Sequence, residues 1–363
     1  MTVMVFQSTD TNAPLLYDLT GSLTNLLTTV LVTGYNTTAW IASTVYALDS
    51  QVIPSLSAPN GYYYLATIAG TSGATAPTWP TVAGNTVVDG TVTWTCQGPV
   101  QSAGWSVPFV GAAAGEVVYQ MGPGSSGRYL NVNNNSYTSQ ALFTGYETMT
   151  AYNTGTNPFP TTAQSTTYFI YNNYGSAAGD QSQWVITTNG KFFYLAVCYS
   201  GGPSGNWVNY GQIGFFGDFP SVSSTDAYNT VWGFSGSSIE NSVLNYYGAN
   251  SVTGDIYADR AYNQTSLSNK ELIYAPAVPG RSGLTYPNPT DNGLYTLPLV
   301  LMDTFTTGNV VRGTLPGIWG PIHDAPLQPL QTYSGSGNQL GKTFITIKTH
   351  NTSQFMLETS NTW

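Results

Sequence analysis

QWVITTNGKFFYLAVCYSGG, residues 183–202, sets two apolar runs around Asn189-Gly190. β-branched and aromatic runs flanking Asn-Gly are the signature of a hairpin closed by a type I′ turn. The chain thus declares antiparallel β-structure, and its composition agrees. Only 7% of its 363 residues are charged, against about 25% in an average soluble protein. Aromatics reach 13%, including 26 Tyr and 9 Trp, and 39 Gly and 21 Pro punctuate the chain. Few charges with many aromatics argue against disorder, and Thr, Tyr and turn formers favour strands. The expected fold class is mainly β.

Further strands follow the same logic. EVVYQM (116–121) and RYLNVN (128–133) read as a pair around a Gly/Ser loop. NVVRGTLPGIWGP (309–321), KTFITIKT (342–349) and QFMLETSNTW (354–363) read as late strands. A turn is expected at Gly217-Asp218, then a short helix capped by Ser224 or Thr225. Residues 241–298, rich in Asn, Gly, Pro and Tyr, read as loop. No fixed-period repeat is evident, which argues against a solenoid or propeller.

One N-terminal amphipathic helix interrupts the β pattern. In LTGSLTNLLTTVLVTGY (19–35), Leu23, Leu26, Leu27, Val30 and Leu31 make one apolar stripe at helical spacing. Thr20 or Ser22 is positioned to cap its start, and Gly34 to end it. From Thr38 the texture changes to short alternating runs: AWIASTVYALDSQVIP (39–54), NGYYYLATIAG (60–70) and NTVVDGTVTWTCQG (85–98). These predict a small all-β module at 36–101, inserted into a multi-stranded β host domain of residues 1–35 plus 102–363. A module of that size depends on its Trp and Tyr for a core.

The module also supplies the candidate binding residues. Tyr62, Tyr63 and Tyr64 are consecutive, so alternation puts Tyr62 and Tyr64 on one face and Tyr63 on the other. Trp79, bracketed by Pro77 and Pro80, is the best candidate for an exposed ring, whereas Trp94 on an alternating strand is expected to be buried. These aromatics could stack on sugar, form an assembly surface, or simply fill the module.

Reactive chemistry is sparse. The two histidines are His323, beside Asp324, and His350, and no spacing suggests a metal site. Asp255 with Asp259, or Asp218 with Asp226, could form a glycosidase pair but read equally as turn residues. GPGSSG (122–127) lacks the Lys of a phosphate-binding loop. Cys96 and Cys198 stand apart and read as small buried hydrophobes, a disulfide being the lesser reading. Eight basic residues are scattered among 17 acidic ones, so nucleic-acid binding is not expected. No run is long enough to insert in a membrane, and the N-terminus lacks signal-peptide features, predicting synthesis in the cytoplasm. The expectation is a non-enzyme without cofactor or metal.

Particular motifs carry a resemblance. Asn60-Gly61-Tyr62-Tyr63-Tyr64, Gly70-Thr71-Ser72-Gly73, Pro77-Thr78-Trp79-Pro80 and Asp89-Gly90-Thr91-Val92-Thr93-Trp94 resemble a module found in tailed-bacteriophage tail and fibre proteins. That module is commonly compared to the carbohydrate-binding modules of chitinases. VFQSTDTNAP (5–14), GYETMT (145–150), FFGDF (215–219), GTLPGIWGPIHDAPL (313–327) and the closing ETSNTW resemble uncharacterised virion proteins of phages of Gram-negative bacteria. In such chains the helix end runs on almost directly to a Gly-Trp like Gly104-Trp105, which again marks 36–101 as an insertion. The resemblance implies a structural virion component, of the tail or its fibres, that assembles with copies of itself and other virion proteins. Contact with host-surface polysaccharide is an additional role it allows. A capsid decoration or head-fibre protein is the alternative, and a polysaccharide-degrading tail enzyme the third reading.

Overall fold

The computed structural model describes residues 2–135, 139–161, 168–172, 180–199, 207, 211–234, 255–260, 267–274, 287–288, 290–305, 308–321, 327–348, 354–360 and 363. It is mainly β, with one helical segment of more than a turn among the described residues.

That segment is α1 (Ser22–Thr28), continued by a π-helical turn, Thr29–Thr33. Its start is not capped by Thr20 or Ser22. Gly21, at φ 81°, occupies the cap position, and Ser22 lies inside the helix, its Oγ accepting from Tyr17 N and donating to Leu15 O. A donor freed at the helix start is instead bound from a distance, by Leu23 N–H to Asn134 Oδ1 at 3.2 Å. At the far end Gly34 N–H reaches back five residues to Thr29 O. This wider turn buries Val32 beside the stripe, and Leu23, Leu26, Leu27, Val30 and Leu31 are fully buried. The last carbonyls are satisfied across the chain, Val30 O by Ala103 N and Leu31 O by Trp105 N, both at 3.0 Å. The helix end and Gly104-Trp105 are therefore adjacent in space.

Between those two points the chain builds sheets of its own. β2 (Thr37–Ala39), β4 (Gln51–Ile53), β5 (Tyr62–Ile68), β8 (Val92–Pro99) and β7 (Thr86–Asp89) pair in that order. β2 and β4 run parallel, the others antiparallel. β3 (Val45–Tyr46) and β6 (Gly70–Thr71) make a small second sheet. Asp89 pairs with Val92 across Gly90-Thr91, the expected hairpin.

The remaining strands form two larger sheets. One has six strands: β13 (Thr154–Phe159), β12 (Gln140–Ala151), β11 (Tyr129–Asn133), β10 (Glu116–Gln120) and β9 (Ser106–Val110), with β14 (Tyr168–Ile170) also paired to β12. The other has twelve. It runs from β1 (Met4–Gln7) through β15 (Gln183–Thr188), β16 (Phe192–Cys198), β17 (Gly211–Asp218), β18 (Thr230–Phe234), β19 (Asp255–Arg260), β20 (Leu267–Tyr274) and β21 (Thr296–Phe305). It then continues through β22 (Gly308–Pro321), β25 (Gln354–Glu358), β24 (Thr343–Lys348) and β23 (Thr332–Ser334). Its two halves fold over one another. Ile213 and Phe215 of the first half share a core with Leu315, Ile347 and Phe355 of the second, and Tyr194 Oη donates to Pro316 O at 2.6 Å.

Strand parity explains why the opening hairpin is so apolar. On β16, Phe192, Tyr194, Ala196 and Cys198 face that core, while Phe193, Leu195 and Val197 face α1 and the six-stranded sheet. Covered on both faces, such a strand needs no polar side. The hairpin turn differs from type I′. Only Gly190 has positive φ, and Asn189 instead bonds the turn through its Oδ1, which accepts from Lys191 N and Phe192 N. Type I′ would require positive φ at two residues.

Other expectations also change. Gly217 and Asp218 end strand β17 rather than form a turn, and residues 222–225 are bends and turns held by Ser221 and Ser223, with no helix through 229. Within 241–298, the described residues include β19, β20 and the start of β21. Cys96 and Cys198 are both buried, and they do not form a disulfide with each other.

Candidate functional site

The module 37–99 gathers its aromatics inward. Tyr64 is fully buried, its Oη donating to Pro80 O at 2.9 Å and accepting from Asn60 Nδ2 at 2.7 Å. Burial raises its pKa above the ordinary tyrosine value. Trp79 closes over it, ring centroids 4.4 Å apart, and reaches Trp94 at 6.0 Å. Trp94 in turn meets Tyr46 edge-on at 4.9 Å. Asp89 organises this interior. Its Oδ2 accepts the indole N–H of Trp40 (2.7 Å) and of Trp94 (3.1 Å), and its Oδ1 accepts Gly73 N–H (2.7 Å).

The alternation expected of the three tyrosines holds: Tyr62 packs with Tyr64 toward the module core, and Tyr63 packs toward the main core beneath α1. The four rings share no single exposed face. Tyr64 has no exposed face, Tyr62 and Tyr63 are half-buried against different cores, and Trp79 is a half-buried lid rather than a projecting ring. The physical reason is the module's size: about 60 residues bury too little aliphatic surface to dispense with their large rings.

The module shows several large aliphatic side chains to solvent. Ile68 and Val88 flank Thr93 across three adjacent strands, 57% and 70% exposed. Ile41, Val45, Leu48 and Val82 are also largely exposed. Of thirteen exposed large hydrophobic side chains among the described residues, six lie in this stretch.

The carboxylates considered for catalysis are engaged elsewhere. Asp218 accepts from Ser126 N, Ser126 Oγ and Thr230 Oγ1. Asp226 pairs with Arg312 at 3.1 Å, both side chains fully buried. Asp259 pairs with Arg128 at 2.9 Å, and Glu147 is held by both Arg260 and Asn157. Tyr228 lies beneath the guanidinium groups of Arg260 and Arg128, 4.5 and 5.8 Å from its centroid. This network joins the six-stranded sheet to β19 and β22, and residue spacing gave no sign of it. Burial pushes the Asp259 carboxyl up to about 7 against the pull of Arg128 and Arg312. At Glu147 burial opposes ionisation, but the bonds from Arg260 and Asn157 outweigh it and hold the carboxyl below its ordinary value.

His323, Asp324 and His350 lie outside the described residues. Among the described residues no three His, Cys, Asp or Glu side chains are grouped to hold a metal ion, and no helix is long and apolar enough to cross a membrane. No protein-family model matches the chain, and no curated protein matches it.

Proposed function

We propose that the chain is a non-catalytic structural component of a bacteriophage virion, associated with the tail or its fibres, which assembles with copies of itself and other virion proteins. The observation that carries this reading is the inversion of the module. Its aromatics are committed to its interior, and its solvent face is a low-charge β surface of Thr, Val and Ile, suited to repeated symmetric contacts. The phage-module resemblance of residues 60–94 and the satisfied state of Asp218, Asp226 and Asp259 support it from different directions.

Mass spectrometry of particles purified from a lysate of the producing host tests the proposal. The chain should be present at fixed stoichiometry, and antibody-labelled electron micrographs should decorate the tail. Recovery only in the particle-free fraction would rule the reading out, and decoration of the capsid would reassign it to the head.

A further inference from the structure

β7 ends the module's five-stranded sheet, and its outer edge is open. Thr86, Val87, Val88 and Asp89 pair with Thr95, Trp94, Thr93 and Val92 of β8, and Asn85 O extends the ladder by accepting from Cys96 N at 2.9 Å. Bonded and non-bonded positions alternate along an antiparallel pair. Counted from Asn85, Val87 and Asp89 turn their N–H and C=O groups toward β8, and Thr86 and Val88 turn theirs away. Among the described residues neither Thr86 nor Val88 has a backbone partner on that outer side. Both are exposed, Val88 at 70%. We propose that this edge pairs antiparallel with the same edge of a second copy of the chain, about a two-fold axis at Val87.

The alternation selects that axis. With Val87 opposite its own counterpart, Thr86 of each copy lies opposite Val88 of the other. Every outward N–H of one copy then meets an outward C=O of the other. An axis at Thr86 would set Val88 against Gly84, whose N–H already donates to Cys96 O. An axis at Val88 would set Thr86 against Gly90, which lies against the backbone of Thr71 and Gly73. Pairing about Val87 also joins the two sheets into one. On the outer face Ile68, Thr93 and Val88 of one copy continue into Thr86 and Thr95 of the other, so Val88 gains a neighbour on its open side.

Charge names the occupant. A two-fold contact presents the same patch twice, so any charge on it meets its like. The chain carries a net charge of −9, yet residues 50–88 contain no charged side chain, and Asp89 is the sole charge from 50 to 115. Asp89 is 4% exposed, its oxygens bonded to Trp40, Trp94 and Gly73. A charged partner strand finds no counterpart here, whereas a second copy meets a neutral edge that complements its own. Other outer strands are guarded: β9 and β13, at the two ends of the six-stranded sheet, carry Pro108 and Pro158. β7 has no proline and no charge apart from the buried Asp89. The contact deepens the virion reading, on whose self-assembly it rests, by naming the strand through which copies meet.

Single-cysteine variants of the full chain read the register. Across the axis the two Val87 Cα atoms stand about 4.5 Å apart, within disulfide reach, whereas two Thr86 or two Val88 stand about 9 Å apart. The wild type, whose own cysteines are buried, is the baseline. In a glutathione redox buffer, Val87→Cys should yield about tenfold or more disulfide-linked dimer than Thr86→Cys or Val88→Cys. Adding Val88→Pro to Val87→Cys should abolish the dimer, because that N–H faces the open edge and its loss breaks no bond within the module. The unmodified chain gives a reading that needs no substitution. A hundredfold rise in its concentration should slow hydrogen exchange at the Thr86 and Val88 amides about fivefold or more relative to Val87.

The proposal is overturned if Val87→Cys traps no more dimer than Thr86→Cys or Val88→Cys, or if the dimer survives Val88→Pro. It is also overturned if exchange in the unmodified chain ignores concentration, which would leave the edge to a strand of another protein. All three measurements use the purified chain. A monomeric edge therefore removes this contact and leaves the particle test of the virion reading standing, and absence from particles does the reverse.

Discussion

Trp79 covers Tyr64, their ring centroids 4.4 Å apart, and its own indole N–H is buried without an acceptor. The contact is valuable as packing, whereas the N–H is a liability. Trp79→Ala should cost about 2–4 kcal/mol by opening the module core. Trp79→Phe keeps a ring and removes the unsatisfied donor, so it should cost under about 1 kcal/mol. Hydrogen exchange reads both: strands β5 and β8 should lose protection in the alanine variant while β15 and β16 keep theirs. Equal effects of the two substitutions would contradict this division.

Asp89 is the module's polar centre, and its removal leaves three N–H donors behind. Asp89→Ala should destabilise the module by about 3–5 kcal/mol, with each stranded donor contributing about 1–3 kcal/mol before relaxation. Asp89→Asn should also be costly, since its amide NH₂ would face a donor on one side. Indole side-chain NMR signals of Trp40 and Trp94 should shift together in either variant. A shift of only one would mean that the two indoles do not share the carboxylate.

Val88 and Ile68 test the assembly face. Neither packs into a core, so Val88→Asp combined with Ile68→Asp should leave the melting temperature nearly unchanged. The pair should shift any self-association of the purified chain toward monomer, read by analytical ultracentrifugation. Unchanged association with unchanged stability would remove this face from the assembly interface.

Legibility in the sequence followed the range of the interactions. Helix stripe, hairpins and the alternation of Tyr62, Tyr63 and Tyr64 depend on local periodicity, and these were readable. β19 was not. DIYADR carries three charges and reads as loop, and its ion pairs become visible only once Arg128 and Glu147 are brought in from over a hundred residues away. Trp79 misled for the same reason: Pro-bracketing announces a rigid turn but does not say that Tyr64 and Trp94 wait beneath it. Asp89 carried a turn signal in VVDG, and that signal hid its second role as acceptor for two indoles.

Asp259 and Glu147 should divide the pH dependence of stability between them. A raised folded pKa means that the folded state holds its proton more tightly. The Asp259 contribution is therefore fully present near pH 4 and is lost as pH rises toward about 7. Over pH 5 to 7 that is two units at about 1.4 kcal/mol each, so Asp259→Asn should gain on the wild type by on the order of 3 kcal/mol. Glu147 acts oppositely. Its depressed pKa contributes stability above the ordinary glutamate value that is lost as pH falls through the folded value. Glu147→Gln should thus flatten the acid limb below about pH 4.5 and, because the Glu147 charge helps to raise Asp259, move the neutral-range loss to lower pH. Denaturant titrations from pH 3 to pH 8 check both, and an unchanged neutral range in the glutamine variant would show the two carboxylates to be uncoupled.

Gly317 lies directly against the ring of Trp363. Gly317 has φ +68°, and a Cβ there would run into the Trp363 ring. Gly317→Ala thus combines a backbone penalty of about 1 kcal/mol with displacement of the indole from its seat. The two parts separate in a double-mutant cycle. In a Trp363→Ala background, Gly317→Ala should retain only the backbone part, giving a coupling of about 1 kcal/mol or more. Additive effects would place the Trp363 ring elsewhere in solution.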